Sequence, residues 1–385
     1  MKNKKIVIVF LVALIGYVYA EKLQVSPVEE LNVSSGYGVD INKELSGNVQ
    51  YSIPFTVYEF KKKVRLGTGG TTKKAASTKA VGEVSSNIIE AKANSIGQTR
   101  EDRQLNSSKS IIIGTEKISI ISEEAASYGI LNLINIIFSN AKTNDRGIFT
   151  IGKGKAEDIL NFKVEGYPSS ADYIDGMIRN ATSYNFISEE YTLLNIYVAL
   201  DSEGKNLVLP YLEIKDENIA FTGMALFKGD KMVYVLPIEE SKIMNMLREK
   251  KGKGMLTLQE GPDKYINYDA MVKKKVKCNK TEGKYEFTIE LDFQGDIKDN
   301  TLYKDIKKEN ESEFEKLMEK KIEKMCNDFL YKMKNVYKID CLNLGMYAAA
   351  KYGRETGVDW NQKVCDADIK VIVKVKIDKM GRGQY

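Results

Sequence analysis

The sequence predicts a mixed α+β / α/β protein of several domains, each a β-sheet packed with helices. Three observations carry that prediction. Residues 109–160 read strand, helix, strand, helix, the order of a parallel crossover unit. The second half is a series of Tyr-, Val- and Ile-rich runs split by Gly and Asp turns, the pattern of hairpins. Near the C-terminus a long run carries apolar residues at three- and four-residue steps, which is helical spacing. With 385 residues, 43% hydrophobic and 29% charged, the chain has a globular composition and room for two or more domains.

Residues 1–20 read as a signal peptide or N-terminal membrane anchor. Lys2, Lys4 and Lys5 precede an almost wholly apolar run over residues 6–18. Val18-Tyr19-Ala20 then places small or branched residues where a signal peptidase reads, so cleavage is expected after Ala20. The apolar core is short for a membrane span, and no other segment is long and apolar enough to cross a bilayer. The remainder is expected to be extracytoplasmic.

Gly36-Tyr37-Gly38-Val39-Asp40 reads as a turn. Residues 49–60 alternate and predict a strand, with Pro54 marking an edge or bulge. Residues 85–94 predict a short helix and 100–110 a polar connection. Ile111-Ile112-Ile113, closed by Gly114, is the first strand of the crossover unit. Ser122-Glu123-Glu124 starts a helix that runs to about residue 140. Residues 147–151 form the second strand, and Gly152 and Gly154 bend it into a helix over 155–160. Ser169-Ser170 caps a helix over 171–181. Turn residues, a proline and charge cluster between 201 and 217, so the domain boundary is placed there: an N-terminal domain over 21–205 and a C-terminal domain over 206–385. In the second half, 219–228 and 232–237 form a hairpin through Gly229-Asp230-Lys231. A helix over 239–249, strands at 255–258, 265–276 and 284–293, and a long amphipathic helix over 310–335 follow. The Glu- and Lys-rich face of that helix reads as solvated, with neighbours such as Lys316–Glu319 and Lys320–Glu323. A short helix ending near residue 352, Trp360 and a strand over 368–377 close the chain.

Composition also excludes. The chain has no histidine, which removes Ser-His-Asp and Cys-His nucleophilic sites and histidine metal sites. Its charge of +5 comes from 58 basic and 53 acidic residues, too evenly interspersed for a nucleic-acid protein. No catalytic constellation, cofactor site or metal site is predicted. Cys278, Cys326, Cys341 and Cys365 lack metal-site spacing and are read either as one or two disulfides or as buried thiols. Two glycine-rich stretches invite a phosphate-loop reading. Residues 67–73 lack the required order and are read as a surface loop; Gly152-Lys153-Gly154-Lys155 lacks a third glycine.

The order of motifs resembles the Ger(x)C family, the C subunits of bacterial spore germinant receptors. The resemblance covers nearly the whole chain after the leader. Gly38-Val39-Asp40 is similar to an early Gly-Ile-Asp element. Ile89-Glu90-Ala91 is similar to a short helix before the central unit. The stretch K-S-I-I-I-G-T-E, from Lys109 through Gly114 to Glu116, is similar to a family strand, and the residues around Gly129 to the helix after it. Gly154 and Ala156 lie in a Lys-, Gly- and Ala-containing turn, residues 225–234 resemble a hairpin, and Asp340 to Gly345 with Trp360 complete the pattern. Three departures stand out. Tyr17 occupies the position of the usual lipid-accepting cysteine, so no lipidation site is expected. Ser107 or Ser108 stands where a histidine is common, and Asn343 replaces a glycine.

The resemblance implies a non-catalytic subunit, needed for nutrient-triggered germination, on the outer face of the spore inner membrane. Its implied partners are membrane-embedded receptor subunits and the membrane surface, with no nucleic acid and no metal. The alternative is an exported solute-binding protein whose two domains close over a small molecule.

Overall fold

The computed structural model describes residues 30–43, 47–61, 83–188, 191–302, 308–354 and 357–379. Tyr17, Ala20 and the glycine-rich stretch 67–73 lie outside the described residues.

The first sheet is built on β1 (Leu31–Lys43), a 13-residue strand that runs straight through the expected glycine turn. The glycines serve close packing there. A Cβ on Gly36 would lie 3.0 Å from the Ala171 side chain, and one on Gly38 would lie 2.8 Å from that of Ala156. Residues 49–60 split at Pro54 into β2 (Val49–Ser52) and β3 (Phe55–Lys61), both antiparallel to β1. The helix expected at 85–94 is instead β4 (Glu83–Ile89) and β5 (Lys92–Ala93). Val84, Ile88 and Ile89 are β-branched, and seven residue pairs with β3 outweigh a marginal helical propensity. The polar connection after it contains α1 (Thr99–Leu105).

The crossover unit exists, but on a different first strand. Ile111 falls in β6 (Ser110–Ile112), which pairs only with the start of β1. The central strand is β7 (Ile118–Ser122), buried along its whole length and parallel to both β1 and β8 (Ile148–Gly152). Burial on both faces makes a continuous apolar run, which does not alternate and is hard to tell from a helix start. The expected single helix is two, α2 (Glu123–Tyr128) and α3 (Leu131–Phe138). Gly129, at φ 132, breaks it. Ser122 caps α2 by accepting a hydrogen bond from Ala125 N. Helices α4 (Ala156–Asn161), α5 (Ser170–Ala181) and α6 (Leu193–Asp201) follow.

The sheet does not stop at residue 205. Strands β9 (Val208–Lys215), β10 (Asn218–Lys228) and β11 (Lys231–Pro237) extend it in the order β11-β10-β9-β8-β7-β1-β2-β5. Its centre is parallel from β1 to β9 and its flanks are antiparallel. The division between sheets therefore falls at α7 (Ile238–Arg248), after the turn cluster used to place a boundary in the sequence.

The second sheet has the order β12-β13-β14-β15, from β12 (Lys251–Gly261), β13 (Lys264–Thr281), β14 (Lys284–Asn300) and β15 (Asp368–Lys379). Across it lies α8 (Lys308–Lys332), burying Phe314, Met318, Ile322, Cys326 and Phe329. A π turn over Met333–Tyr337 ends the helix. Helices α9 (Leu344–Tyr352) and α10 (Trp360–Cys365) cover the end of the sheet. The four cysteines are buried free thiols. Burial pushes the Cys326 thiol up to about 12 and that of Cys365 to about 11, so both pack as neutral groups.

Candidate functional site

The motif residues singled out in the sequence fall into two buried carboxylate joints and two separate glycine positions. The first joint gathers Gly38, Asp40, Gly154 and Ala156. Asp40, 4% exposed on β1, accepts from the backbone N–H of Ala156 at 2.7 Å and of Glu157 at 3.0 Å. It thus caps α4 from 116 residues away in sequence. Burial raises its pKa, while the two N–H donors and Ser122 pull it down. Gly38 is what lets β1 approach: Ala156, Pro54 and Leu160 leave no room for a Cβ. Gly154 sits at φ +74 in open space and supplies only the bend. An anion at this helix start would find its first two N–H groups already taken by Asp40.

Asp340, Gly345 and Trp360 form the second joint, which ties the two sheets' units together. The Asp340 carboxylate is fully buried and accepts from Leu342 N (3.2 Å), Leu344 N (3.1 Å) and Gly345 N (2.7 Å). Burial raises its pKa to about 6 against those three donors and the Arg248 guanidinium. Gly345 meets Gly204: a Cβ on Gly204 would strike the Gly345 backbone, and one on Gly345 would lie 2.9 Å from the Trp360 side chain. Trp360 donates its indole N–H to Glu203 at 2.8 Å. Arg248, at the end of α7, donates to Cys341 O (2.7 Å), Asn343 Oδ1 (3.1 Å) and Asn206 O (3.0 Å). Asn206 donates in turn to Asp340 O and to Asn361 Oδ1. Asn343 sits in the left-handed region at φ 58, where asparagine is tolerated, and its side chain serves both Arg248 and Asn206 N. A glycine there would keep the backbone shape and lose the two contacts.

Gly114 and Gly129 stand apart from both joints. Gly114, at φ +101, follows β6 and donates its N–H to Glu116 at 2.7 Å. Gly129 lies beside Asp230, whose backbone and side chain accept from Ile130 N and Leu131 N. The β10–β11 turn thereby caps α3.

A cleft of about 510 Å³ opens beside the second joint, with Lys205, Arg248, Lys250, Lys251 and Lys274 around Glu249. Lys274 is 8% exposed and donates to Arg248 O. Burial lowers its pKa to about 8. Both joint carboxylates are buried and turn both oxygens to backbone N–H groups at helix starts. Among the described residues no group of three His, Cys, Asp or Glu could hold a metal ion. Reading the sequence missed Asn206, Asp230 and Arg248. Each bonds to backbone far away in the chain, which no local spacing announces.

Two family models match the chain, one after the other. The model described as "Spore germination protein N-terminal domain" matches residues 24–214. The model described as "Spore germination B3/ GerAC like, C-terminal" matches residues 222–381. The spore germination protein GerQC of Bacillus cereus is 21% identical over 284 residues, covering 71% of this chain and 77% of that protein. The crystal structure of the GerBC protein aligns over 89% of this chain and 97% of its own, at 14% identity and a TM-score of 0.49.

Proposed function

The chain belongs to the Ger(x)C family of spore germination proteins, and on that premise we propose that it is a non-catalytic, extracytoplasmic subunit of a spore germinant receptor. In this reading it assembles with membrane-embedded subunits at the outer face of the spore inner membrane and is needed for nutrient-triggered germination. The carrying observation is that both family models match in order, together spanning residues 24–381 apart from a seven-residue gap. The buried joints support a scaffolding role: their carboxylates hold helix starts in place.

Attachment is proposed to differ from that of relatives carrying a lipid-accepting cysteine, since Tyr17 has no thiol. Among the described residues no helix is long and apolar enough to cross a membrane. Cleavage after Ala20 would leave the protein held by its partners and the membrane surface.

The alternative, two domains closing over a solute, meets a rigid joint instead of a hinge. Gly204 abuts Gly345, and Arg248 bridges three acceptors across the contact. Deletion of the gene in a strain without a redundant receptor, scored with nutrient mixtures, is the direct test. Loss of nutrient-triggered germination is expected; germination at the parental rate would refute the receptor role.

A further inference from the structure

A small cavity of about 80 Å³ lies in the first sheet's unit, between β1, β3, α1 and α3 and away from both joints. Its walls are apolar, formed by Ile53, Phe55, Ile96, Leu133, Ile136 and Ile137. Polar side chains line it too, Arg100 among them, and three deeply buried ones matter most: Tyr37 at 8%, Arg103 at 9% and Glu116 at 4% exposure. Tyr37 and Glu116 each leave a buried polar atom unmet. Glu116 uses one oxygen to accept from Gly114 N, while its other oxygen, Oε1, has no hydrogen-bond partner. The Tyr37 hydroxyl has none of acceptable geometry, although Ser119 lies nearby. Arg103 rests over the Phe55 ring, 4.4 Å from its centroid, with no hydrogen-bond or ion-pair partner among the described residues. Burial lowers the Arg103 pKa and raises that of Glu116, and each partly offsets the other's shift.

A folded protein rarely leaves such groups unmet side by side, because each has given up the hydrogen bonds it made to water. Glu116 offsets only part of the positive charge of Arg103 and Arg100, and a guanidinium without a hydrogen-bond partner presents a planar fork that matches a carboxylate. The nearby Glu116 disfavours a multiply charged anion such as phosphate. The remaining pair, a phenol that can donate and a carboxylate oxygen that can accept, is bridged by one hydroxyl group, which does both. The walls ask for an apolar body. The volume limits its size, since a single water needs about 10–15 Å³ on this measure.

We propose that this cavity binds a small 2-hydroxycarboxylate with a short aliphatic body, its carboxylate on Arg103 and its hydroxyl between Tyr37 and Glu116. The motif strand around Gly114 then has a role beyond packing, because the positive φ at Gly114 aims its N–H at Glu116 and fixes that side chain at the cavity. The proposal stands on the cavity alone and not on the receptor reading. A failed germination test leaves it standing, and the reverse holds too.

The test is titration of the purified full-length chain, followed by calorimetry and by the Arg103 side-chain NMR signal. The probes are 2-hydroxyisobutyrate, isobutyrate and tert-butanol, which carry both groups, the carboxylate only and the hydroxyl only. Saturable binding of 2-hydroxyisobutyrate is expected, with isobutyrate about tenfold weaker for the lost hydrogen bonds and tert-butanol weaker still. Arg103→Gln should weaken binding by at least about tenfold. Ile136→Trp, which fills the cavity from a half-exposed helix position, should abolish it while leaving Arg103 in place. Both variants are checked for unchanged thermal unfolding; should Arg103→Gln fail to fold, Ile136→Trp with the three probes decides. No binding by 2-hydroxyisobutyrate, equal binding of all three probes, or undiminished binding by folded Ile136→Trp would each overturn the proposal.

Discussion

Lys274 shows at the scale of one residue how the tertiary structure sets chemistry that sequence leaves open. In β13 it is the middle of three consecutive lysines, and its neighbours Lys273 and Lys275 are exposed. The pleat turns Lys274 inward, where it donates to Arg248 O and lies 5.6 Å from the Tyr347 ring centroid. Its folded pKa of about 8 lies below the ordinary 10.5, so folding disfavours the charged form. The cost is therefore full below pH 8 and is relieved as pH rises from 8 to 10.5. Lys274→Met lacks this titration. Denaturant unfolding should show the parent gaining up to about 3 kcal/mol on the variant across that window, from roughly 1.36 kcal/mol per pH unit. A constant difference from pH 7 to pH 10.5 would contradict the buried, depressed amine. Asp340 was legible as a motif position, yet its fully buried surroundings were not. They arise from Asn206, Arg248 and Asn361, none of them closer than 21 residues.

At the scale of an element, the charged face of α8 turned out to be a working surface. Glu315, Glu319 and Glu323 accept from the backbone N–H groups of Ile377 (3.1 Å), Val375 (3.0 Å) and Val373 (3.5 Å) on β15. The match is geometric. Four helical residues rise about 6.0 Å and two strand residues about 6.6 Å, so i, i+4, i+8 carboxylates meet every second amide of an edge strand that runs opposite to the helix. An edge strand with bare amides is a template for aggregation, and this zipper covers it. The amphipathic pattern predicted the helix and its buried side; the solvated reading of the opposite face failed because a strand 50 residues away lies against part of it. Glu319→Ala should cost about 1 kcal/mol of stability and speed hydrogen exchange at Val375. Unchanged exchange at that amide would rule out the zipper.

For the whole molecule the consequential feature is that the two family halves meet inside one sheet. The N-terminal model ends at 214 and the C-terminal one begins at 222, yet β9 and β10 pair across that gap, from Asn218 against Lys215 onward. Met224, Leu226, Phe227 and Leu236 lie fully buried in the strands beyond it. At roughly 2 kcal/mol each, their loss removes about 8 kcal/mol, comparable to a domain's whole stability. A fragment of residues 24–214 should therefore aggregate, whereas one of residues 24–249, which keeps β10, β11 and α7, should remain soluble and folded. Size-exclusion chromatography and circular dichroism would show this, and a well-folded shorter fragment would refute it.

The sequence by itself determined the class of fold, the hairpin at Gly229, the long C-terminal helix and the family. Each rests on local periodicity or on motif order, which the chain carries wherever it goes. Only the tertiary structure decided that β7 and not Ile111–Ile113 is the central strand, that Gly36 and Gly38 pack inside a strand instead of turning it, and that residues 83–93 pair as strands. It also decided what Asp40, Asp340 and Glu116 do. Asp40 takes its amide partners from a segment 116 residues away, while Asp340 and Glu116 bond to nearby amides but owe their burial to distant segments; the physical reason is that burial is a property of the packed molecule, not of spacing along the chain.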